Sequence, residues 1–119
     1  LDYGPNEAYT VGALDRWIRV HFVYRGEIEE VIRTPEFMLH SMEMSGVFDG
    51  DCDDVSTLAA SLLKAMGLPA RFVAIRFGPS PEFKHVYVET FVDGVPVALD
   101  ATVEPGTPYA ALERMVLNV

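Results

Sequence analysis

Three side chains of this 119-residue sequence have the chemistry of a nucleophile, a base and an orienting acid: Cys52, His85 and Asp100. A thiol attacks as its thiolate, an imidazole can take the proton, and a carboxylate can hold the imidazole in the right tautomer. Cys52 is the sole cysteine and stands in Gly50-Asp51-Cys52-Asp53-Asp54, at the mouth of an apolar-periodic segment. Val55, Leu58, Ala59, Leu62, Leu63 and Met66 recur at the spacing of one helix face. Cys52 falls on the same stripe, so its sulfur is expected to point inward, beside first-turn N–H groups that favour a thiolate. A small buried thiol with only a packing role is the alternative for this stretch taken alone.

His85 and Asp100 are joined by a turn. Phe83 to Val92 and Val95 to Ala101 read as strands separated by Asp93-Gly94, a pair favoured in two-residue hairpin loops because both central positions need positive φ. Such a loop pairs Val92 with Val95 and, counting outward, Tyr87 with Asp100 and His85 with Thr102. His85, Tyr87, Glu89 and Phe91 then share one face with Ala98, Asp100 and Thr102. Asp100 becomes the diagonal neighbour of His85, about 7 Å away along the backbone and within reach of a leaning side chain. A one-residue bulge would turn Asp100 to the other face. Glu89 shares the face and is a minor alternative for the orienting acid.

The acids beside the cysteine sharpen the need for a base. Asp51, Asp53 and Asp54 oppose thiolate formation while the helix terminus favours it, so a nearby imidazolium is expected to tip the balance. Cys52, His85 and Asp100 thus read, in chain order, as nucleophile, base and orienting acid.

The elements that must position them follow from periodicity and breakers. Residues 1 to 7 form an opening loop. A helix is expected from Ala8 to about Tyr24, carrying Val11, Leu14, Trp17, Ile18 and Phe22, although the β-branched and aromatic run Ile18 to Tyr24 could extend as a strand. Trp17 reads as a core filler. Ile28 to Arg33 is a short mixed segment. Thr34-Pro35-Glu36 predicts a helix start, with Phe37, Met38, Leu39 and Met42 on its apolar side and an end near Gly46. A loop from Gly46 to Asp51 leads into the cysteine helix, which stops at Gly67 with Pro69 beyond. Arg71 to Phe77 is a strand closed by the loop Gly78-Pro79-Ser80-Pro81, and a short helix is expected from Tyr109 to Met115.

Half the residues are hydrophobic and 23% are charged, an ordinary globular composition for one domain over 1–119. A net charge of −9 with only nine Lys and Arg argues against nucleic-acid or anionic-membrane partners. The single cysteine, the lack of a bilayer-length apolar run and a start without signal-peptide character point to a cytoplasmic compartment and no membrane insertion. The first residue is Leu1, so the chain is expected to be a trimmed or processed piece of a longer one.

Metal readings fail on spacing. Asp49, Asp51 and Asp53 fit the first positions of a calcium loop, but Asp54 stands where glycine is needed and Ala60 where glutamate is needed. Cys52, His21, His40 and His85 are too scattered for zinc, and no glycine-rich phosphate loop is present. Neither a metal nor a cofactor is expected.

Gly50-Asp51-Cys52-Asp53-Asp54-Val55, Leu58 to Met66, Gly67-Leu68-Pro69-Ala70-Arg71, His85-Val86-Tyr87-Val88-Glu89 and Leu99-Asp100-Ala101-Thr102 together resemble the transglutaminase-like superfamily of papain-type thiol enzymes. The resemblance covers most of residues 10 to 103. It implies an α+β, papain-like fold: N-terminal helices, with the cysteine on a central helix packed against an antiparallel sheet that bears His85 and Asp100. It also implies a Cys52–His85–Asp100 triad that transfers acyl groups from peptide or glutamine-type amides through a thioester, and a structural role for Asp54 at the helix start. Protein or peptide substrates are the expected partners, with a neighbouring domain or partner protein completing the cleft. Hydrolysis and transamidation both stay open. The Cys52 N–H is one candidate oxyanion donor; Trp17 and the loop from Gly46 to Asp51 are candidates for the second. The alternative is a catalytically inactive interaction module that keeps the fold.

Overall fold

The computed structural model describes residues 7–24, 34–76, 83, 85–109 and 113–119. Helix α1 (Glu7–His21) is followed at once by a short strand β1 (Phe22–Tyr24), so the β-branched and aromatic run leaves the helix at Phe22. Helix α2 (Pro35–Ser45) starts as its sequence predicts: Thr34 is extended at the N-cap and its Oγ1 accepts from the Phe37 N–H at 3.1 Å. Of its expected apolar side only Met38 is buried, while Phe37 is exposed. The expected mixed segment 28–33 and the loop 78–81 lie outside the described residues.

The stretch expected to be a loop before the cysteine contains a strand, β2 (Phe48–Gly50), which pairs in parallel with β1 through Phe22 and Phe48, Val23 and Asp49, and Tyr24 and Gly50. Three residues are too few to show a period, and the pairing exists only because α1 delivers β1 alongside. Its consequence is positional: the end of α1 is tied to the residue next to Asp51.

Helix α3 (Cys52–Ala65) carries the predicted stripe into the core. Leu58 and Leu63 are wholly excluded from solvent, each stabilising the fold by about 2 kcal/mol. They pack with Val11, Leu14 and Ile18 of α1, Met38 of α2 and Phe48. Beyond α3 come β3 (Arg71–Arg76), β4 (His85–Val92), β5 (Val95–Leu99) and β6 (Glu113–Asn118), forming an antiparallel sheet in the order β5-β4-β3-β6. One face, with Val88, Leu99 and Phe72, joins the main core against α3. The opposite face holds a second small cluster of Val73, Ile75 and Tyr87, against which Tyr109 packs. Both faces of central β4 are covered, so Tyr87 to Thr90 are all buried.

The expected tail helix is wrong where it can be compared: Glu113 to Met115 lie in β6, paired with β3 from Arg71 opposite Asn118 to Arg76 opposite Glu113. The local sequence of helix formers lost to the open edge of β3, whose backbone groups need partners. No helix among the described residues is long and apolar enough to cross a membrane.

Candidate active site

The position of Cys52 is built by its acidic neighbours. Asp51 is the N-cap of α3, and its Oδ1 accepts from the backbone N–H groups of Asp53 at 3.1 Å and Asp54 at 3.3 Å. Asp54, buried, reaches back so that its Oδ2 accepts from the Asp51 N–H at 3.0 Å, completing a reciprocal capping box. Asp54 therefore has the structural role its position implied. Gly50 is required by this closure, because a Cβ there would lie 2.6 Å from the Asp54 Cβ and Oδ2. Cys52 is left as the first residue of the helix, partly exposed, with its Sγ 4.0 Å from Asp53 Oδ1. The box occupies the N–H groups of Asp51, Asp53 and Asp54, and the Cys52 N–H stands outside it.

One turn further on, Ser56 Oγ donates to the carbonyl of Val86 at 3.2 Å. That bond pins the start of α3 to the start of β4, where His85 lies. The hairpin takes the predicted form: Asp93 and Gly94 have φ of 51° and 79°, and the register runs from Val92 opposite Val95 to Val88 opposite Leu99. No bulge intervenes, so Asp100 comes to the same face as His85, and His85 Nε2 meets Asp100 Oδ2 at 2.6 Å. The other ring nitrogen, Nδ1, takes no part in that contact.

Asp100 is nearly inaccessible, at 3% exposure, and both its oxygens are occupied. Oδ1 accepts from the Thr102 N–H at 3.0 Å and from Thr102 Oγ1 at 2.6 Å. Oδ2 accepts from Tyr109 Oη at 2.8 Å as well as facing His85. Arg19 of α1 holds the backbone behind it, donating to the carbonyl of Asp100 at 2.7 Å and to that of Val103, while its Nε donates to Asp15 at 2.9 Å. Burial pushes the Asp100 carboxyl up, but hydrogen bonds from His85, Thr102 and Tyr109 outweigh it and bring the pKa down to about 2. The His85 pKa is raised to about 9, first by the hydrogen bond to Asp100 and next by that to Cys52, against the opposing effect of burial. The histidine is thus held as imidazolium near neutral pH, with the carboxylate on one nitrogen and the thiol within range to act on its titration.

Glu89, the other acid on this face, is taken by cations. Arg71 donates to its Oε1 through Nε at 2.9 Å and Nη2 at 2.6 Å, and Arg114 Nη2 reaches both oxygens at 3.2 Å. It does not compete for His85 in this geometry. Trp17 packs its ring on Phe48 and His21, with centroids 6.1 and 4.9 Å apart.

Thr102, Tyr109 and Arg19 are site residues that sequence reasoning did not single out. Thr102 was on the expected face but carried no role, and the Asp15–Arg19 spacing was readable as a helical ion pair. Nothing local marked Tyr109. A cavity of about 200 Å3 lies against Asp100, Arg19, Val97, Val103, Thr107 and Tyr109. Cys52 and His85 are not among its walls, so it is a space beside the acid, not over the thiol.

A cysteine at the N-terminus of a core helix, set against an antiparallel sheet carrying histidine and aspartate, defines the α+β papain-like class. The chain belongs to the transglutaminase-like superfamily, whose family model matches residues 3–101. Two solved structures share the fold. A protein named as a candidate protease from Parabacteroides distasonis superposes with a TM-score of 0.70 at 19% identity, covering 97% of this chain and 23% of that one. A candidate cysteine protease from Cytophaga hutchinsonii gives 0.59 at 23% identity, covering 78% of this chain and 30% of that one. The chain therefore spans less than a third of the length of either structure. No curated protein sequence matches it.

Proposed function

We propose that the chain is a thiol-dependent acyl-transfer domain acting on an amide bond, of peptidase, amidase or transglutaminase type, through Cys52, His85 and Asp100. The observation that carries this reading is the 2.6 Å contact between His85 Nε2 and a buried, fully hydrogen-bonded Asp100, with a thiol at a helix N-terminus that also acts on the histidine's titration. Membership of the superfamily supports it, as does the likeness of fold to the two candidate proteases.

The chemistry runs as follows. In the reactive form of the pair the proton is on His85 and Cys52 is a thiolate, which attacks the amide carbonyl carbon, moving the π electrons onto oxygen. The Cys52 backbone N–H is the donor offered to that oxyanion, because the capping box leaves it out while fixing the turn around it. As the C–N bond breaks, the imidazolium protonates the departing amine and a thioester remains. His85 then takes a proton from water or from an amine, which attacks the thioester and releases the acid or the new amide together with the thiol. Asp100 stays ionised throughout and holds the imidazole's orientation.

Incubation with peptide, isopeptide and glutamine-amide substrates, with and without added amine, followed by mass spectrometry, tests the reading. A mass change on substrate that disappears in Cys52→Ala supports it. A Cys52 that reacts with iodoacetamide no faster than a free thiol, with no turnover of any substrate, assigns the chain to the interaction-module alternative.

A further inference from the structure

The four acceptor positions of the Asp100 carboxylate are shared unevenly. Thr102 supplies both donors to Oδ1 and is enough to hold the carboxylate in place. Tyr109 adds its bond on Oδ2, the oxygen that faces His85. Its ring lies parallel to Tyr87, with 4.3 Å between centroids and 2° between planes, and packs on the cluster of Val73, Ile75 and Tyr87. The His85 ring stacks 6.1 Å from each tyrosine.

We propose that Tyr109 is a positioning residue for the base: by donating to the carboxylate oxygen that His85 uses, it limits how tightly the imidazolium is held and so sets the pH at which the proton is released. One negative charge is divided between two donors on a single oxygen, and each bond is weaker for the presence of the other. The consequence lies in formation of the thioester, where an imidazolium held too firmly is a poor acid toward the departing amine. The titratable and charged groups around His85 are few among the described residues. Asp100 and Cys52 act on it directly, Asp53 lies beyond the thiol, and Tyr87 and Tyr109 flank the ring. Arg19 stands behind Asp100, and Glu89 with Arg71 and Arg114 lies further along the same face. Of these, only Tyr109 donates to the same oxygen as His85.

The inference rests on the reading of His85 as the base, but its test does not. The His85 ring is titrated by NMR in the parent chain, in Tyr109→Phe, and with 3-fluorotyrosine at position 109, whose more acidic hydroxyl is a stronger donor. Tyr109→Phe keeps the ring stack and should move the His85 midpoint upward by roughly half a unit, as expected for the loss of one competing bond of ordinary strength. Fluorotyrosine should move it downward. In an Asp100→Asn background Tyr109→Phe should have no effect, because the effect passes through the carboxylate. Shifts of the same sign in both variants, or no shift in either, overturn the proposal; if Tyr109→Phe fails to fold, the fluorinated protein decides it alone. Alkylation of Cys52 across pH is followed in parallel with His85→Ala. If that substitution leaves alkylation unchanged, the acyl-transfer reading fails, while the NMR midpoints still decide the role of Tyr109.

Discussion

Asp100 and Glu89 occupy the same face of the same hairpin, are both buried and both carry a full set of partners, yet they do different things. Glu89 faces two guanidinium groups, and Arg71 is further held over the Phe91 ring, 4.7 Å from its centroid. Those cations keep their charge at any pH a folded protein meets, so the cluster is a fixed tie between β3, β4 and β6. Asp100 faces an imidazole, which can lose its proton, and hydroxyl donors, which carry no charge. A buried carboxylate makes a fixed tie or a pH-dependent one according to whether its partner can titrate.

The largest test of that contrast is on activity. His85→Ala or Asp100→Ala should lower the rate of the proposed acyl transfer on a peptide or glutamine-amide substrate by about a thousand-fold or more, whereas Glu89→Gln should stay within a few-fold of the parent. A Glu89→Gln chain as damaged as Asp100→Ala would erase the distinction. The structural tie is read by stability: Glu89→Ala leaves Arg71 and Arg114 side by side without their anion, and urea denaturation should read a loss of about 2 kcal/mol, less than for a fully buried pair because Arg114 is half-exposed.

The pH dependence of stability is a finer probe. His85 is held at about 9, against 6.5 in the unfolded chain, so its contribution is complete below 6.5 and is lost as pH rises through 9. Asp100 is held at about 2, against 3.8 unfolded, so its contribution is complete above 3.8 and is lost as pH falls through 2. Denaturation midpoints should therefore fall on the alkaline side in the parent and in Glu89→Gln, and the decline should flatten in Asp100→Asn. An alkaline decline that survives in Asp100→Asn would place its source elsewhere. The smallest effect is expected from Arg114→Ala, under about 1 kcal/mol by the same denaturation measurement, since its side chain is 47% exposed and Arg71 keeps Glu89 neutralised. A loss as large as that for Glu89→Ala would mean the cluster depends on both cations equally.

Much of this architecture was readable from short-range patterns. The stripe from Val55 to Met66 announced α3, Thr34-Pro35-Glu36 announced α2, and Asp93-Gly94 set a register that carried His85 and Asp100 to one face. Each rests on steric or hydrogen-bonding preferences acting within a few residues, which a linear sequence records. The acids around Cys52 were legible only in part: as charges they suggested a metal loop or an electrostatic burden, whereas Asp51 and Asp54 are spent on the helix cap.

What tertiary structure alone decided depends on partners distant in the chain. β2 exists because α1 ends beside it, and β6 replaced an expected helix because the edge of β3 offered a ladder. Tyr109 and Arg19 joined Asp100 for the same reason. The sequence by itself determined which residue is the thiol, where its helix begins and that His85 and Asp100 share a face; burial, the pairing of Glu89 with arginines and the closing of Tyr109 on the acid required the packed sheet, because a side chain's partners across a fold leave no periodic trace in the sequence.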